Sequence, residues 1–262
     1  MIKRLEFKPF GSTEYPFNIP SLNNIKELDL SNKVTIFVGD NGSGKSTLLK
    51  AIAYYNNSIN VSSKDINSSY YKEIRELSNK MKMIYSFKTR SGFFFSGEEF
   101  ITYINNIKKM KQDLKDDLKR IDEEYKDKST FAKNQARMAP AGQLYELENA
   151  FDRDLKEKSH GEGFLDFFKA RMHRQGIYLL DEPETPLSAI NQYQLVVLIT
   201  DLVKEGSQVI IATHSPIIMA IKDAVIYQFE EKGINQVNYE DIEHVNFMKH
   251  FLNNKENYID RL

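Results

Sequence analysis

The chain has 262 residues, enough for one large domain or two small ones and for a sizeable buried core. With 41% hydrophobic residues, 12 Gly and 7 Pro it is neither collagen-like nor globally disordered, and no run approaches the roughly 18 apolar residues that a membrane span needs, so membrane insertion is not expected. No cysteine and five scattered histidines exclude disulfide scaffolds, thiolate zinc sites and cysteine nucleophiles; Lys plus Arg 36 against Asp plus Glu 37 leaves a net charge of -1, so a polyanion could be held only by a local patch.

Ile2 to Phe7 alternates and reads as a strand; Met1 leads into it with no apolar leader, which implies a cytoplasmic setting. Pro16 and Pro20 punctuate the next stretch, and Val34 Thr35 Ile36 Phe37 Val38 is an apolar strand bounded by Gly39. A helix is expected from about Lys45 to Tyr55, burying Leu48, Leu49, Ile52 and Ala53, with the polar run Asn56 to Ser69 as a loop after it. Met81 to Lys88 reads as a strand and Phe93 to Phe95 as a short buried piece. Ile104, Ile107, Lys111, Leu114, Leu118, Ile121 and Tyr125 then recur at alternating three and four residues, a coiled-coil seam broken once by Lys111. Pro140 and Gly142 are expected to mark a turn, with Leu144, Leu147, Phe151 and Leu155 on a returning helix. Leu114, Leu118 and Ile121 would pack against Leu144, Leu147 and Phe151, making residues 101–157 an inserted helical arm within a single domain of residues 1–262. Beyond it, the strand Gly176 to Leu180, the helix Ala189 to Lys204 and the strand Gln208 to Thr213 alternate as a parallel sheet requires. Val225 to Phe229 and Ile234 to Val237 form an expected hairpin around Lys232 and Gly233, with helix from Ile242 onward.

Two stretches carry chemistry in a demanding context. Gly39 Asp40 Asn41 Gly42 Ser43 Gly44 Lys45 Ser46 is a complete G-x-x-x-x-G-K-S between an apolar strand and a helix. Glycines let backbone N–H groups turn inward onto phosphate oxygens, the helix adds the positive end of its dipole, Lys45 neutralises the β and γ phosphates and Ser46 offers a hydroxyl to Mg2+. A plain strand-to-helix turn is the competing reading. Ile177 to Leu180 delivers Asp181 and Glu182 to a strand end, where Asp181 can hold a metal and Glu182 can serve as general base; the alternative is two solvated acids in a loop.

With these two stretches the chain resembles the ABC-type ATPases, in particular the soluble branch of SMC and RecF-like heads and the small stand-alone bacterial proteins labelled AAA family ATPase. Further stretches carry the resemblance. Ser159 His160 Gly161 Glu162 looks like the signature motif, with Lys158 for the usual Leu and His160 for the first Gly. Pro183 to Ser188 looks like the D-loop, with Ser188 where many members carry Asp. Thr213 His214 Ser215 Pro216 resembles the switch-histidine segment. The resemblance implies an α/β P-loop NTPase: an ABC-type head with a mixed β-sheet flanked by helices, an N-terminal antiparallel β portion and an inserted helical arm.

It also implies ATP and Mg2+ as ligands. Gly39 to Ser46 and Thr47 would bind the nucleotide, Ser46 and Asp181 the metal, and Lys45, Glu182 and His214 would act in catalysis. Ser159 and Gly161 would contact ATP held by a second copy, in an ATP-dependent homodimer. A Q-loop glutamine is missing, leaving Glu98 or Glu99 as candidates, and Tyr15 or Phe17 could stack on adenine or sit in the core. An unknown protein partner is expected and nucleic acid is a candidate, although basic residues between Lys108 and Arg137 only slightly outnumber acidic ones. The arm could equally be a solvated hairpin. Two other functions compete with partner control in DNA maintenance or defence against mobile DNA: the ATP-binding subunit of an ABC transporter, and an ATP-gated binding module with negligible turnover.

Overall fold

The computed structural model describes residues 1–10, 14–23, 25–60, 72–89, 91–151, 160–172 and 175–259. Among them the strands form two sheets. The smaller is antiparallel, with β1 (Ile2–Phe7) between β2 (Glu27–Asp29) and β5 (Met81–Tyr85), Leu5 lying opposite both Leu28 and Met83. The larger follows the order β10-β9-β3-β8-β7-β6-β4, built from β3 (Val34–Gly39), β4 (Ile59–Asn60), β6 (Gly92–Ser96), β7 (Ile177–Asp181), β8 (Gln208–Ala212), β9 (Val225–Glu230) and β10 (Gly233–Val237). All its neighbours pair in parallel except the β9–β10 hairpin. This is the mixed α/β sheet expected of a P-loop architecture, with an antiparallel portion at the N-terminus.

The central strands are apolar throughout because both faces are covered. Phe37, Phe94, Ile177, Leu179, Ile210 and Ala212 face one core, shared with α2 (Lys45–Tyr55), α3 (Lys72–Asn79) and the small sheet. Their alternate neighbours, among them Ile36, Phe95, Tyr178 and Ile211, face a second core under α6 (His160–Arg171) and α7 (Ala189–Lys204), with α9 (Glu243–Asn253) adding Val245. Aromatic rings dominate the second: Phe95 lies 4.8 Å from Phe168 and Phe100 4.9 Å from Phe167, centroid to centroid, and such pairs add about 1 kcal/mol each beyond the area they bury. Parallel pairing brings the C-terminal ends of these strands to one edge: Ser96 pairs with Asp181 and Asp181 with Ala212.

At that edge β6 passes directly into α4 (Gly97–Glu124), which folds back through residues 125–129 onto α5 (Thr130–Phe151). The seven predicted seam residues of the first helix, Ile104 to Tyr125, are half-buried, while Lys108, Lys115, Lys119 and Arg120 are exposed. Four expectations need correction. Pro140 lies inside α5 and ends no helix; the turn comes earlier, where the Ala132 N–H donates to Ser129 Oγ at 3.2 Å and so caps the returning helix. Asp122 pairs with Lys133 at 3.1 Å and with Arg137, so Ile121 lies level with that stretch and not with Leu144 to Phe151. The strand from Met81 stops at Tyr85, where its pairing with β1 runs out at Ile2. The polar run after Tyr55 contains β4, paired with β6, before entering residues 61–71, outside the described ones.

Candidate functional site

Gly44 sets the geometry of the loop between β3 and α2. Its φ of 101° is left-handed, and a Cβ there would meet Ile19 Cγ2 at 2.9 Å. Inside the turn Lys45 is 4% exposed, and its Nζ donates to the carbonyls of Gly39 at 2.8 Å and Asp40 at 2.7 Å and to Ser43 Oγ at 3.4 Å. Burial lowers the proton affinity of this amine, and the charges of Glu182, Asp181, Asp40 and Glu184 oppose the shift. Asn41 and Gly42 form the outer bend of the loop.

The adjacent residue reaches the neighbouring strand. Ser46 Oγ donates to Asp181 Oδ1 at 2.7 Å, and Asp181, 4% exposed, has its carboxyl pushed up to about 6 by burial, against the pull of Lys50. Lys50 stands one helical turn after Ser46 on α2 and pairs with Glu99 at 3.1 Å in a site where Glu99 is 8% exposed. Of the two acids proposed for the Q-loop position, Glu99 is thus part of this cluster, while Glu98 is exposed. The i, i+4 spacing of Ser46 and Lys50 was the available signal for Lys50.

Glu182 adopts a left-handed φ of 47°, uncommon for a residue with a Cβ, and its N–H bonds the Ala212 carbonyl at 2.8 Å. Gly97 allows the close approach: a Cβ there would collide with the Glu182 carbonyl. His214, just past β8, has its backbone N–H on Glu184 Oε1 at 2.6 Å, and its Nε2 is buried without a partner. Burial and the charge of Lys45 lower its proton affinity, which favours the neutral ring. Glu184 was not singled out in the sequence and has no local signature. Ser188 caps α7, accepting from the Asn191 N–H at 3.3 Å.

Thr47 Oγ1 lies 3.1 Å from the hydroxyl of Tyr15, a half-exposed ring, whereas Phe17 is buried against Phe10; the two adenine candidates therefore separate, and Tyr15 alone stands at the loop. Ser159 lies outside the described residues, and Gly161 falls in the first turn of α6, whose Phe164, Phe167 and Phe168 are buried beside Met172. Among the described residues no group of three or more His, Cys, Asp or Glu forms a ready metal cluster, and no helix is long and apolar enough to cross a membrane.

Lys45, Ser46, Asp181, Glu182 and His214 thus meet at one sheet edge, and the residues fit Mg-ATP by their chemistry: a cation tied to loop carbonyls and the Ser43 hydroxyl, a hydroxyl and a carboxylate as oxygen donors, and an unpaired buried imidazole nitrogen. The "Ribose import ATP-binding protein RbsA" of Clostridium tetani is similar, 22% identical over 91% of this chain. The chain spans 46% of that relative's length. Among solved structures, an Smc head domain bound to the C-terminal domain of ScpA, from Pyrococcus furiosus, is 15% identical, with 97% of this chain and 99% of that one covered and a TM-score of 0.47. An SMC head domain from Thermotoga maritima is 14% identical over 90% and 99%, with a TM-score of 0.42. A family model described as an AAA ATPase domain matches residues 21–160 and, overlapping them, 98–219. Those matches take in most of the chain, from Gly39 to Ser46 through Asp181 and Glu182 to His214, and the chain therefore belongs to the AAA ATPase domain family.

Proposed function

We propose that the chain hydrolyses Mg-ATP at the edge formed by β3, β7 and β8, that bound ATP joins two copies head to tail, and that the cycle controls a partner in the cytoplasm. The observation that carries the reading is the convergence of Lys45, the Ser46–Asp181 pair and His214 at one sheet edge, where the charge of Glu182 acts on Lys45, Asp181 and His214 alike. Loop N–H groups from Gly39 to Thr47 would hold the phosphates, and Lys45 Nζ would exchange its carbonyl partners for phosphate oxygens. Ser46 Oγ and Asp181 would hold Mg2+, which supplies charge neutralisation on the phosphates when bound. Glu182 would take the proton of the attacking water, and the neutral His214 ring would donate from Nε2 to the γ-phosphate. Ser159 and Gly161 of a second copy would complete the site, which makes dimerisation part of turnover. A protein partner fits this cycle, nucleic acid is a further candidate, and DNA maintenance or defence against mobile DNA is the proposed setting.

The name of the Clostridium tetani relative favours a second reading, the ATP-binding subunit of an importer. One experiment separates dimer from monomer. Glu182→Gln keeps shape but removes the base, so with Mg-ATP light scattering should report twice the mass of the nucleotide-free protein. Adding Lys45→Ala or Ser159→Arg should return it to the monomer mass. A mass that ignores ATP in Glu182→Gln would remove the ATP dimer, and co-purification with a membrane subunit would favour the importer.

A further inference from the structure

We infer that Glu184 is a positioning residue for hydrolysis: by holding the His214 backbone N–H, its carboxylate fixes where the His214 ring stands relative to Glu182. The inference rests on the proposed role of His214. After the left-handed turn at Glu182 the chain folds back on itself, Thr185 N–H bonding the Glu182 carbonyl at 3.2 Å and Leu187 N–H the Glu184 carbonyl at 2.8 Å. This tight loop carries the Glu184 side chain across to the end of β8, where Oε1 accepts from His214 N at 2.6 Å, a contact between residues thirty apart in sequence. The backbone donors on either side have other acceptors: Thr213 N–H bonds the Phe37 carbonyl at 3.2 Å and Ser215 N–H the Thr213 hydroxyl at 3.0 Å.

A second tie lies just beyond the first. Ser215 Oγ donates to Gln192 Oε1 at 2.7 Å, and Gln192 Nε2 donates to the Leu187 carbonyl at 3.0 Å. The loop after β8 is therefore fastened at two adjacent points, the His214 N–H to Glu184 and the Ser215 hydroxyl, through Gln192 of α7, to Leu187. Gln192 and Ser215 would hold the backbone of the second loop in place without Glu184, so the Glu184 contact is left to set the amide plane that orients the His214 ring.

Stability alone gives no reason for an acid here. Glu184 Oε2 is buried with no hydrogen-bond partner, as is His214 Nε2, and burial raises the carboxyl's proton affinity even against the His214 N–H, its own backbone and the Thr213 hydroxyl, so taking this carboxylate out of water costs more than its bonds return. A Gln at this position would keep the oxygen that accepts from His214 without the charge. An Ala would remove it.

The test compares Glu184→Ala, Glu184→Gln, His214→Ala and the Glu184→Ala/His214→Ala double variant in steady-state ATP hydrolysis by the full chain. Glu184→Ala should lower kcat by roughly 10- to 100-fold with KM for ATP changed less than about threefold, Glu184→Gln should stay within about threefold of the parent, and the double variant should be no slower than His214→Ala. The His214 ring signal, assigned in the nucleotide-free protein by NMR through its loss in His214→Ala, should be unchanged in Glu184→Gln and shifted or broadened in Glu184→Ala. Losses that multiply in the double variant, or a Gln variant as slow as the Ala one, would overturn the inference. If His214→Ala is slow and Glu184→Ala is not, the inference alone falls; if His214→Ala turns over like the parent, the proposed role of His214 falls and takes the inference with it.

Discussion

The layered head and the α4–α5 hairpin are built by opposite means. In the head, strands such as β7 and β8 are buried at every position and each residue chooses between two cores, so position is set by packing from both sides. The hairpin has one half-buried seam, an exposed charged flank with i, i+3 pairs such as Lys119–Asp116 and Arg120–Asp117, and large apolar side chains left bare at Phe131, Met138 and Tyr145. The site sits where placement is over-determined; Lys45, Asp181, Glu182 and His214 all belong to the head. Groups that must be held within fractions of an ångström need neighbours on every side, which a two-helix arm cannot supply.

The widest gap between the two regions should show on truncating a central strand. Phe94→Ala, at a position fully buried in β6, should cost about 3–5 kcal/mol in urea unfolding. Next in size, Asp181→Asn should raise the stability of the nucleotide-free protein by about 1–3 kcal/mol at pH 7 while abolishing turnover, because a carboxyl pushed up to about 6 by burial resists ionising in the folded state. The folded protein keeps that proton between about pH 4 and 6 where the unfolded chain has lost it. The stabilising share of Asp181 is therefore complete below pH 4 and gone above pH 6, and the advantage of Asn should shrink to nothing in acid; an equal advantage at pH 4 and pH 7 would exclude this cause. The smallest effects should lie in the hairpin: Leu118→Ala, half-buried, should cost about 1 kcal/mol. Exchanging Lys115, Lys119 and Arg120 for Glu should leave melting temperature and basal ATP turnover unchanged, while abolishing stimulation by DNA if the hairpin docks it. A Leu118→Ala loss matching that of Phe94→Ala would erase the distinction between the regions.

What could be read in advance divides along the same line. β3, α2, β7, α7 and β8 were legible because their apolar runs, Gly39 and Gly206 are local signals, and Gly39 to Ser46 and Asp181–Glu182 stand at their ends. The hairpin seam was legible too, since a 3–4 repeat needs no partner to be seen. Its turn was not: Pro140 reads as a breaker, yet a proline inside a long helix can be carried by its neighbours, and the informative residue was Ser129, a cap. Lys50–Glu99 and Glu184–His214 were out of reach because each joins segments brought together only by sheet order.

Gly97 gives the hairpin a mechanical meaning. No linker separates β6 from α4: Ser96 still pairs with Asp181, and the next residue both begins a 28-residue helix and rests on the Glu182 carbonyl. At 1.5 Å per residue that helix runs about 42 Å. It is a lever with its fulcrum at the carboxylate pair, and a tilt of about 5° at Gly97 sweeps the far end through about 4 Å. Displacements at the nucleotide too slight to disturb the core would thus be magnified at the tip, a distance away from any water or phosphate that takes part in the reaction.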